Sequence, residues 1–548
     1  MAETLPPRFD PKSIEASWIS SWNENRCFMA DAGAVLDAGK EPYVIVIPPP
    51  NVTAVLHIGH GLNDTIQDVL IRWGRMQGKV ALWVPGTDHA GIATQNMVEK
   101  NLAKKGITKD DLGRQGFESE VWDYVNKTGG QILDQIRTIG SSCDFERTRF
   151  TLDDGLSEAV REVFVRLYEK DLIYRSEYII NWCPRCLTAL SNEEAEGIEI
   201  PGKLYELRYP LPEDVWTTAK EIHEKGVETI GQLPDGRWYL TLSTTRPETM
   251  LGDTAVAVNP NDKRYLKLVG VEITLPLTDR TVPIVGDDFV DPEFGSGAVK
   301  VTPAHDPNDF EIAQRSGLEM MDIFTPEAYL NDNVPKDYRG LDRSQARKKV
   351  LSSLEALDLV GEVKDHAHAV PHCYRCNEVV EPRLSLQWFV RMKPLAKPAL
   401  QASMDGTITF TPSHWQKVYE RWMEDIRDWC ISRQLWWGHR LPVWYCDECD
   451  ETIVAREDPT NCSSCDSSKL TRDPDVLDTW FSSWLWPFSV FGWPKQTRDL
   501  KAFYPTNDMV TAPEILFFWV ARMIMSGYEF MGEAPFTRVY LHLSLIHI

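Results

Sequence analysis

The chain has 548 residues, 43% hydrophobic and 25% charged, which is the composition of a soluble globular protein with room for several domains. Acidic residues (81) outnumber Lys and Arg (58), and the net charge of −23 argues against indiscriminate nucleic-acid binding, although a local basic path such as "ARKKV" is compatible with it. Apolar runs are shorter than a membrane span, and the charged N-terminus lacks the apolar segment of a secretory signal. We therefore expect a cytoplasmic protein that does not associate with membranes.

The first informative element is a short, apolar, β-branched run over residues 43–47, which predicts a buried strand. Apolar residues then recur at helical spacing over residues 62–76. "PPPNVTAVLHIGHGL" lies between the two and places His57 and His60 where a strand ends and a helix begins. Ligands of open α/β sheets bind there, and a helix N-terminus attracts phosphate. Taken alone, however, such a histidine pair is more often a helix cap.

The segment from about 200 to 340 differs in character from the rest of the chain. Threonines, one arginine, one lysine and two aspartates cluster in "RWYLTLSTTRPETMLGDTAVAVNP" and "GSGAVKVTPAHDPNDFEIAQRSG". Side chains of these types can together hold an ammonium, a hydroxyl and a phosphate of a ligand while a water molecule attacks that ligand. An ordinary polar loop is an equal alternative, because Asp306 and Asp309 could simply charge the first turn of a helix.

Eight of the 11 cysteines form four C-x-x-C pairs. Cys446/Cys449 and Cys462/Cys465 lie close together in sequence, which predicts a tetrahedral zinc ribbon, with chance pairing as the alternative. Cys183/Cys186 and Cys373/Cys376 could share a second zinc only if the chain between them loops out as an inserted domain. Both metals would be structural, because four thiolates leave no open coordination position.

Several stretches together resemble one family of enzymes. "PPPNVT", "HIGH", "LWVPGTDHAGIATQ", "TTRPETMLGDTAVAVNP", "VTPAHDPNDFEI", "SRQLWWGHRLPVWYC", "LDTWFSSWLWPFSVFGWP" and "ILFFWVARMIMSG" occur in this order along nearly the whole chain. They resemble the class I aminoacyl-tRNA synthetases, and within these the valine-specific enzymes. "PPPNVT" followed by "GTDHAGIATQ" is the combination that distinguishes them from the isoleucine and leucine enzymes.

The resemblance implies a Rossmann-like parallel α/β nucleotide-binding domain, interrupted by a mainly-β editing domain and carrying zinc knuckles. The implied boundaries are 1–195 and 346–542 for the halves of the catalytic domain and 196–345 for the editing domain. The implied reaction is ATP-dependent activation of valine and its transfer to the tRNA for valine, with Mg²⁺ accompanying ATP. We expect a monomer. An editing-only hydrolase and a non-catalytic, zinc-containing RNA-binding module are the alternatives.

The resemblance also implies the residues of the synthetic site. His57 and His60 would contact ATP and stabilise the charge that develops on its phosphates, and Gly59 would leave room for the nucleotide. Three departures from the family pattern are Ala54 where the family usually has Gly, Gly61 where it usually has Ala, and "APE" over residues 512–514 in place of a Gly-x-Asp that meets the ATP ribose. The implied substrate-binding residues are Pro48, Pro49 and Asn51 in the valine pocket, Asp88 for the ammonium, Trp480, Ile515 and Trp519 as apolar walls, and Glu514 for the ribose.

A second site is needed because valine and threonine are nearly isosteric. An apolar pocket rejects an added hydroxyl by only about 10², a value known for the valine-specific synthetases themselves. The resemblance assigns Asp309 to the ammonium, Asp306 to the threonine hydroxyl, and a positioned water as nucleophile. The implied editing residues are Thr244, Arg246, Thr249, Lys300, Thr302, Asp306 and Asp309, of which Arg246 and Lys300 would hold the acceptor end or the adenylate phosphate.

The end of the sequence departs from the family. A Lys-Met-Ser-Lys-Ser loop, whose lysines stabilise the pyrophosphate leaving group, would follow "VYLH", and an anticodon-binding domain would follow that loop. The sequence instead ends in "LSLIHI" over residues 543–548, which resembles a translated transposon-end sequencing adapter. We expect a non-native tail and a truncated fragment that is inactive in aminoacylation; a natural short form is the alternative.

Overall fold

A computed structural model describes residues 10–11 and 14–543, so residues 544–548 of the predicted tail lie outside the described part of the chain. Over the described residues, the α-helices are α1 (Glu15–Glu24), α2 (Ala32–Leu36), α3 (Ile58–Met76), α4 (Gly91–Ala103), α5 (Lys109–Thr138), α6 (Asp154–Glu169), α7 (Trp216–Glu224), α8 (Pro307–Ser316), α9 (Arg343–Glu355), α10 (Met392–Met404), α11 (His414–Glu424), α12 (Trp480–Ser483), α13 (Trp486–Ser489), α14 (Arg498–Phe503) and α15 (Ala521–Ser526).

The strands of the same residues form several small sheets. They are β1 (Pro42–Val46), β2 (Val80–Val84), β3 (Gly86–Thr87), β4 (Arg149–Phe150), β5 (Ile173–Cys183), β6 (Thr188–Leu190), β7 (Ala195–Ile200), β8 (Lys203–Pro210), β9 (Ile230–Gln232), β10 (Trp238–Thr244), β11 (Ala255–Val258), β12 (Glu272–Thr274), β13 (Thr281–Gly286), β14 (Ala298–Val301), β15 (Val360–Asp365), β16 (His368–Cys373), β17 (Glu381–Val390), β18 (Thr409–Thr411), β19 (Trp429–Cys430), β20 (Ser432–Arg433), β21 (Val443–Cys446), β22 (Thr452–Val454), β23 (Leu470–Arg472), β24 (Val476–Leu477), β25 (Asp508–Thr511) and β26 (Arg538–Leu541).

The described chain divides into two compact units. The first contains the residues up to Arg175 and from Trp388 onward, and the second is Ser176–Gln387. The second unit reaches beyond the predicted insert at 196–345, because β7 pairs antiparallel with β16 along its whole length. The boundaries of the predicted domains stay a prediction.

Parallel strands organise the first unit. β1 pairs with β2 in parallel, and β26 lies between β18 and β25, both parallel to it. The amide of Val44 donates to Asn507 Oδ1 at 2.7 Å, which ties β1 to the residue just before β25. α3 connects β1 to β2, as in a βαβ crossover. A Cβ on Gly74 of α3 would lie 2.7 Å from the Tyr43 ring, so glycine permits this close packing of helix on strand.

The second unit is mainly β. One antiparallel sheet has the strand order β15-β8-β10-β9, and another sheet has the order β12-β13-β11-β14. The buried apolar faces of β8, β10, β11 and β13 pack together with residues of α7 and α9. The predicted α/β class with a mainly-β second body is therefore confirmed.

No helix in the part of the chain that the structure describes is both long enough and apolar enough to span a membrane.

Candidate active sites and cysteine clusters

A cavity of about 580 Å³ opens at the carboxyl end of β1 in the first unit. Pro48 and Pro49 leave β1 directly into its wall, and Asn51 bridges to Asp88, which follows β3. The cavity therefore lies at the strand edge where ligands of parallel sheets bind. Its lining includes the predicted residues Pro48, Pro49, Asn51, His57, Gly59, His60, Asp88, Trp480, Glu514, Ile515 and Trp519.

The two histidines also cap α3. Gly59 N donates to His57 Nδ1 at 3.1 Å, and His57 N donates to His60 Nδ1 at 3.2 Å, with the rings 4.0 Å apart. Because Nδ1 of each ring accepts, the proton of each neutral imidazole lies on Nε2, which can donate to a ligand. Burial, and then the neighbouring His57, lower the pKa of His60 to about 4, so this ring is neutral at pH 7.

The position of the His57 ring explains why residue 59 is a glycine. A Cβ there would lie 2.9 Å from Cε1 of His57, closer than van der Waals contact allows. Glycine thus lets the His57 ring fold back onto the first turn of α3. At Gly61, by contrast, an added Cβ would meet nothing within 4 Å, so this departure from the family pattern leaves the turn unstrained.

Asp88 supplies a buried carboxylate to the cavity. Burial alone would raise its pKa, but hydrogen bonds from His89, Thr151 and the backbone of Ala90 outweigh burial and lower the pKa. The Thr151 hydroxyl donates to Asp88 Oδ1 at 2.8 Å, and the Ser483 hydroxyl approaches Oδ2 at 3.4 Å. A carboxylate that stays ionised in a buried pocket suits an ammonium ligand.

Tryptophans form the apolar side of the cavity. Trp519 is buried, and its Nε1 donates to Ser483 O at 2.8 Å, which fixes the plane of the ring. Trp480 begins α12 on the same cavity, and its Nε1 is buried without a hydrogen-bond acceptor among the described residues. The lining of the cavity therefore combines apolar tryptophan rings with a buried carboxylate.

Sequence reasoning missed other residues of this cavity. Asn63 on α3 donates to Val510 O at 3.2 Å and lies 2.9 Å from Nε2 of His542, which follows β26. Asp64 is also buried there, and burial, then Asp68, raise the pKa of Asp64 to about 7. The usable signal was position, because Thr511 ends β25 and His542 directly follows β26.

The predicted editing residues meet in the second unit. Lys300 on β14 donates to Thr249 Oγ1 at 2.7 Å and also to Thr302 Oγ1. The amide of Thr302 donates to Asp309 Oδ2 at 2.8 Å, and Asp306 caps α8 by accepting from Asn308 N at 2.8 Å. The strand β14 and the start of α8 therefore place a lysine, threonines and two aspartates in one network.

Burial and charge perturb this network. Burial, followed by the neighbouring Asp306, raises the pKa of Asp309 to about 8. Asp253, which sequence reasoning missed, accepts from Thr302 Oγ1 and from the Tyr209 hydroxyl, each at 2.6 Å. It is also 3.4 Å from Lys300 Nζ, and burial raises its pKa. The signal available in the sequence was its place in "LGDTAV", two residues before β11.

Arg246 is already engaged by protein groups. Its guanidinium pairs with Glu381, lies 3.7 Å from Glu248, and donates to His305 O at 2.9 Å. Burial would lower the pKa of Arg246, but the carboxylates of Glu381 and Glu248 outweigh it and raise that pKa. Thr244 Oγ1 accepts from Arg246 N at 3.0 Å. Arg246 is thus part of an ion network rather than an isolated cation.

The cysteine pairs form two four-sulfur clusters, in each of which the ligand atoms lie within 4.8 Å of one another. Sγ of Cys183 is 3.5 Å from Sγ of Cys376, and the distance between Cys446 and Cys465 is also 3.5 Å. Tetrahedral zinc with bonds of about 2.3 Å places thiolates about 3.8 Å apart, whereas a disulfide needs about 2.05 Å. The amide of Cys186 donates to Cys183 Sγ at 3.3 Å, as in a metal-binding turn. Both clusters fit zinc.

A strand-edge cavity with a histidine-capped helix and a β insertion are features of the class I tRNA synthetases, and the chain belongs to this family. The family model described as tRNA synthetases class I (I, L, M and V) matches residues 17–547. The resemblance drawn from the motifs is therefore confirmed.

The similar proteins include valine–tRNA ligases. Those of Carboxydothermus hydrogenoformans and Thermotoga maritima are 54% and 53% identical over 542 and 543 residues, 99% of this chain in each case. The chain spans only 58% and 59% of the length of these two relatives. Among solved structures, the LeuRS of Agrobacterium radiobacter K84, in a ternary complex described as LeuRS-tRNA-LeuAMS, shares the fold at a TM-score of 0.50 and 18% identity. That match covers 98% of this chain and 68% of the other.

Proposed function

We propose that the chain carries the valine-activating and editing sites of a valine–tRNA ligase. The observation that supports this most strongly is the cavity at the start of α3, whose lining combines Asp88 with Trp480, Ile515 and Trp519. Its carboxylate would bind the ammonium of valine, and its tryptophans would pack on the isopropyl group. The reaction joins valine to ATP, giving valyl-adenylate and pyrophosphate, and then transfers valine to a terminal ribose hydroxyl of its tRNA.

The histidines supply hydrogen-bond donors to the phosphates. His57 and His60 present Nε2–H groups, while their Nδ1 atoms are held by the backbone of the first turn of α3. Donors fixed in this way stabilise the charge that develops during attack of the valine carboxylate, without reorganising. ATP would bring Mg²⁺ with it, and Glu514 lines the cavity where a ribose could be held.

The second unit would hydrolyse threonyl-tRNA. Asp309 binds the ammonium, Asp306 the threonine hydroxyl, and Lys300 the terminal ribose or phosphate, while a positioned water attacks the ester. A polar pocket of this kind rejects valine, because valine leaves its buried groups without partners. The two cysteine clusters would each hold a structural zinc ion.

Binding of non-hydrolysable aminoacyl-sulfamoyl adenosines to the 548-residue chain tests the synthetic site. The valyl analogue should bind at least tenfold more tightly than the isoleucyl analogue, and Asp88→Asn should weaken it. Equal binding of both analogues, or no effect of the substitution, would contradict the proposal. Deacylation of threonyl-tRNA without any analogue binding would instead favour an editing-only hydrolase.

A further inference from the structure

A second cleft in the first unit, of about 790 Å³, shares no lining residue with the cavity that contains His57. Its walls come from α5, α6, the segment just before β21, and the loop that follows β22 in the cysteine ribbon. We call it the ribbon cleft. None of the residues assigned to valine, ATP, editing or zinc lies in its lining.

Three arginines crowd one end of the ribbon cleft. Arg161 and Arg472 both lie over the ring of Trp444, with guanidinium carbons 5.5 and 5.1 Å from its centroid. Both also pair with Asp458, Arg472 at 3.7 Å. Arg440 forms no ion pair among the described residues; one of its nitrogens donates to Asp473 O at 3.1 Å, and its Nε is buried without an acceptor. Two guanidinium groups therefore share one carboxylate, and the third, that of Arg440, has no carboxylate partner among the described residues.

This crowding is electrostatically unfavourable. Burial, followed by the charge of Arg440, lowers the pKa of Arg472 to about 10, and burial, followed by Arg114, lowers the pKa of Arg440. A buried donor without an acceptor adds a desolvation cost. Both costs would be relieved by an anion with several acceptor oxygens placed between the arginines.

The other carboxylates of the cleft only partly replace that anion, since the charge of Glu118 opposes the lowering of the Arg440 pKa without outweighing it. Glu118 pairs with Arg114 at 2.8 Å, Glu162 with Arg456 at 2.7 Å, and Glu158 with Lys495 at 2.5 Å. The remaining two, those of Asp154 and Glu457, are exposed to solvent, where their charges are screened. The positive charge at the arginine end is therefore local, although the lining as a whole is not basic.

We propose that the ribbon cleft binds a phosphate group between Arg440 and Arg472, with Arg161 completing the site. Guanidinium groups match phosphate oxygens with paired, charge-assisted hydrogen bonds. Trp122, 39% exposed on the same cleft, offers a ring on which a nucleotide base could stack. The phosphate is therefore either a free anion or a phosphodiester of single-stranded RNA. The site has no part in the proposed chemistry, so a negative result for one proposal would not contradict the other.

Calorimetric titration of the 548-residue chain with inorganic phosphate, pyrophosphate and a single-stranded RNA tetranucleotide tests the site. Arg440→Gln and Arg472→Gln should each weaken binding about tenfold or more, because each removes charge-assisted donors. Arg456→Gln is the matched control, since Arg456 lines the same cleft but is saturated by Glu162 and Glu169. It should change affinity less than twofold. Because all three substitutions lie in the ribbon cleft, differences in affinity between these variants report on this cleft and not on any other anion site of the chain.

If the arginine variants lose affinity equally for phosphate and for RNA, the ligand is a free anion. If they lose affinity only for RNA, the ligand is a phosphodiester. Without ligand, Arg440→Gln should melt no lower than the unsubstituted chain, because it removes a repelling charge. If Arg440→Gln fails to fold, Arg472→Gln and Arg161→Gln repeat the test independently. The proposal is wrong if none of the three probes binds, or if the Arg440, Arg472 and Arg456 variants bind them equally.

Discussion

Glu248→Gln should loosen the second unit around the proposed editing site. Glu248 is 1% exposed and lies in the 3-10 helix Pro247–Gly252. Both of its oxygens accept from Arg347 on α9, each at 2.8 Å, and one lies 3.7 Å from Arg246. Burial raises the pKa of Glu248, but Arg347 and then Arg246 outweigh burial and lower it, so the carboxylate is net stabilising at neutral pH.

The size of the effect follows from the geometry. Breaking a buried ion pair costs about 3–5 kcal/mol when one charge is left behind. The side chain of Arg347 is 40% exposed and can be rehydrated, which reduces the cost, and glutamine keeps one acceptor oxygen. A loss of about 2–3 kcal/mol remains, which corresponds to an opening equilibrium about 30- to 150-fold larger.

Amide hydrogen exchange of the full chain, read by mass spectrometry on peptides from α9 and residues 247–252, measures this opening. The control is Glu362→Gln, whose exposed carboxylate pairs with Lys364 at 3.0 Å and should change exchange less than threefold. In the double variant Glu248→Gln/Arg347→Met, the loss of opening free energy should not exceed that of the less stable single variant. Exchange in Glu248→Gln as slow as in the control would refute the reasoning.

Four further outcomes are expected. Metal analysis should find two zinc equivalents per chain, one of which is lost in Cys449→Ser; eight freely titrating thiols and no metal would contradict this. In a protein that extends over the full length of its relatives, Asp309→Ala should leave valine activation intact while threonyl-tRNA accumulates. Because burial and Asp306 raise the pKa of Asp309 to about 8, deacylation should rise with pH up to that region and then level off, and a flat profile from pH 6 to 9 would exclude the carboxylate as the active form. His60→Ala in the same full-length protein should slow adenylate formation about 10²-fold with little change in valine affinity, and an unchanged rate would remove it from the site.

The local parts of the fold could be predicted from the sequence. The β-branched run ending in three prolines predicted β1, and the apolar spacing after His60 predicted α3, since both patterns concern neighbouring residues. The cysteine spacing predicted two four-sulfur clusters, and the fold brings the sulfur atoms of each set within 4.8 Å of one another. Even the modest expectation that the histidines act as helix caps describes what His57 and His60 do in the protein.

The partners of the site residues could not be predicted in this way. Arg246 was assigned from the motif to an RNA or phosphate group, yet it pairs with Glu381, 135 positions away. Asp253 and Glu248 sit in the same quoted motif, but their roles depend on Lys300 and on α9, which only the folded chain brings near. No periodicity encodes such long-range pairing, because each partner is an ordinary charged residue in its own neighbourhood.

The spacing of the two cysteine clusters bears on the order of events during synthesis. Cys183 and Cys376 are 193 positions apart, whereas Cys446 and Cys465 are 19 apart. At about 5–20 residues per second, the first half of the former cluster waits about 10 to 40 s on the ribosome for its other half. During that time an unpaired C-x-x-C turn is exposed to oxidants and to the wrong metal. The later cluster can close within a few seconds, so zinc shortage during growth should damage the cluster that is encoded first.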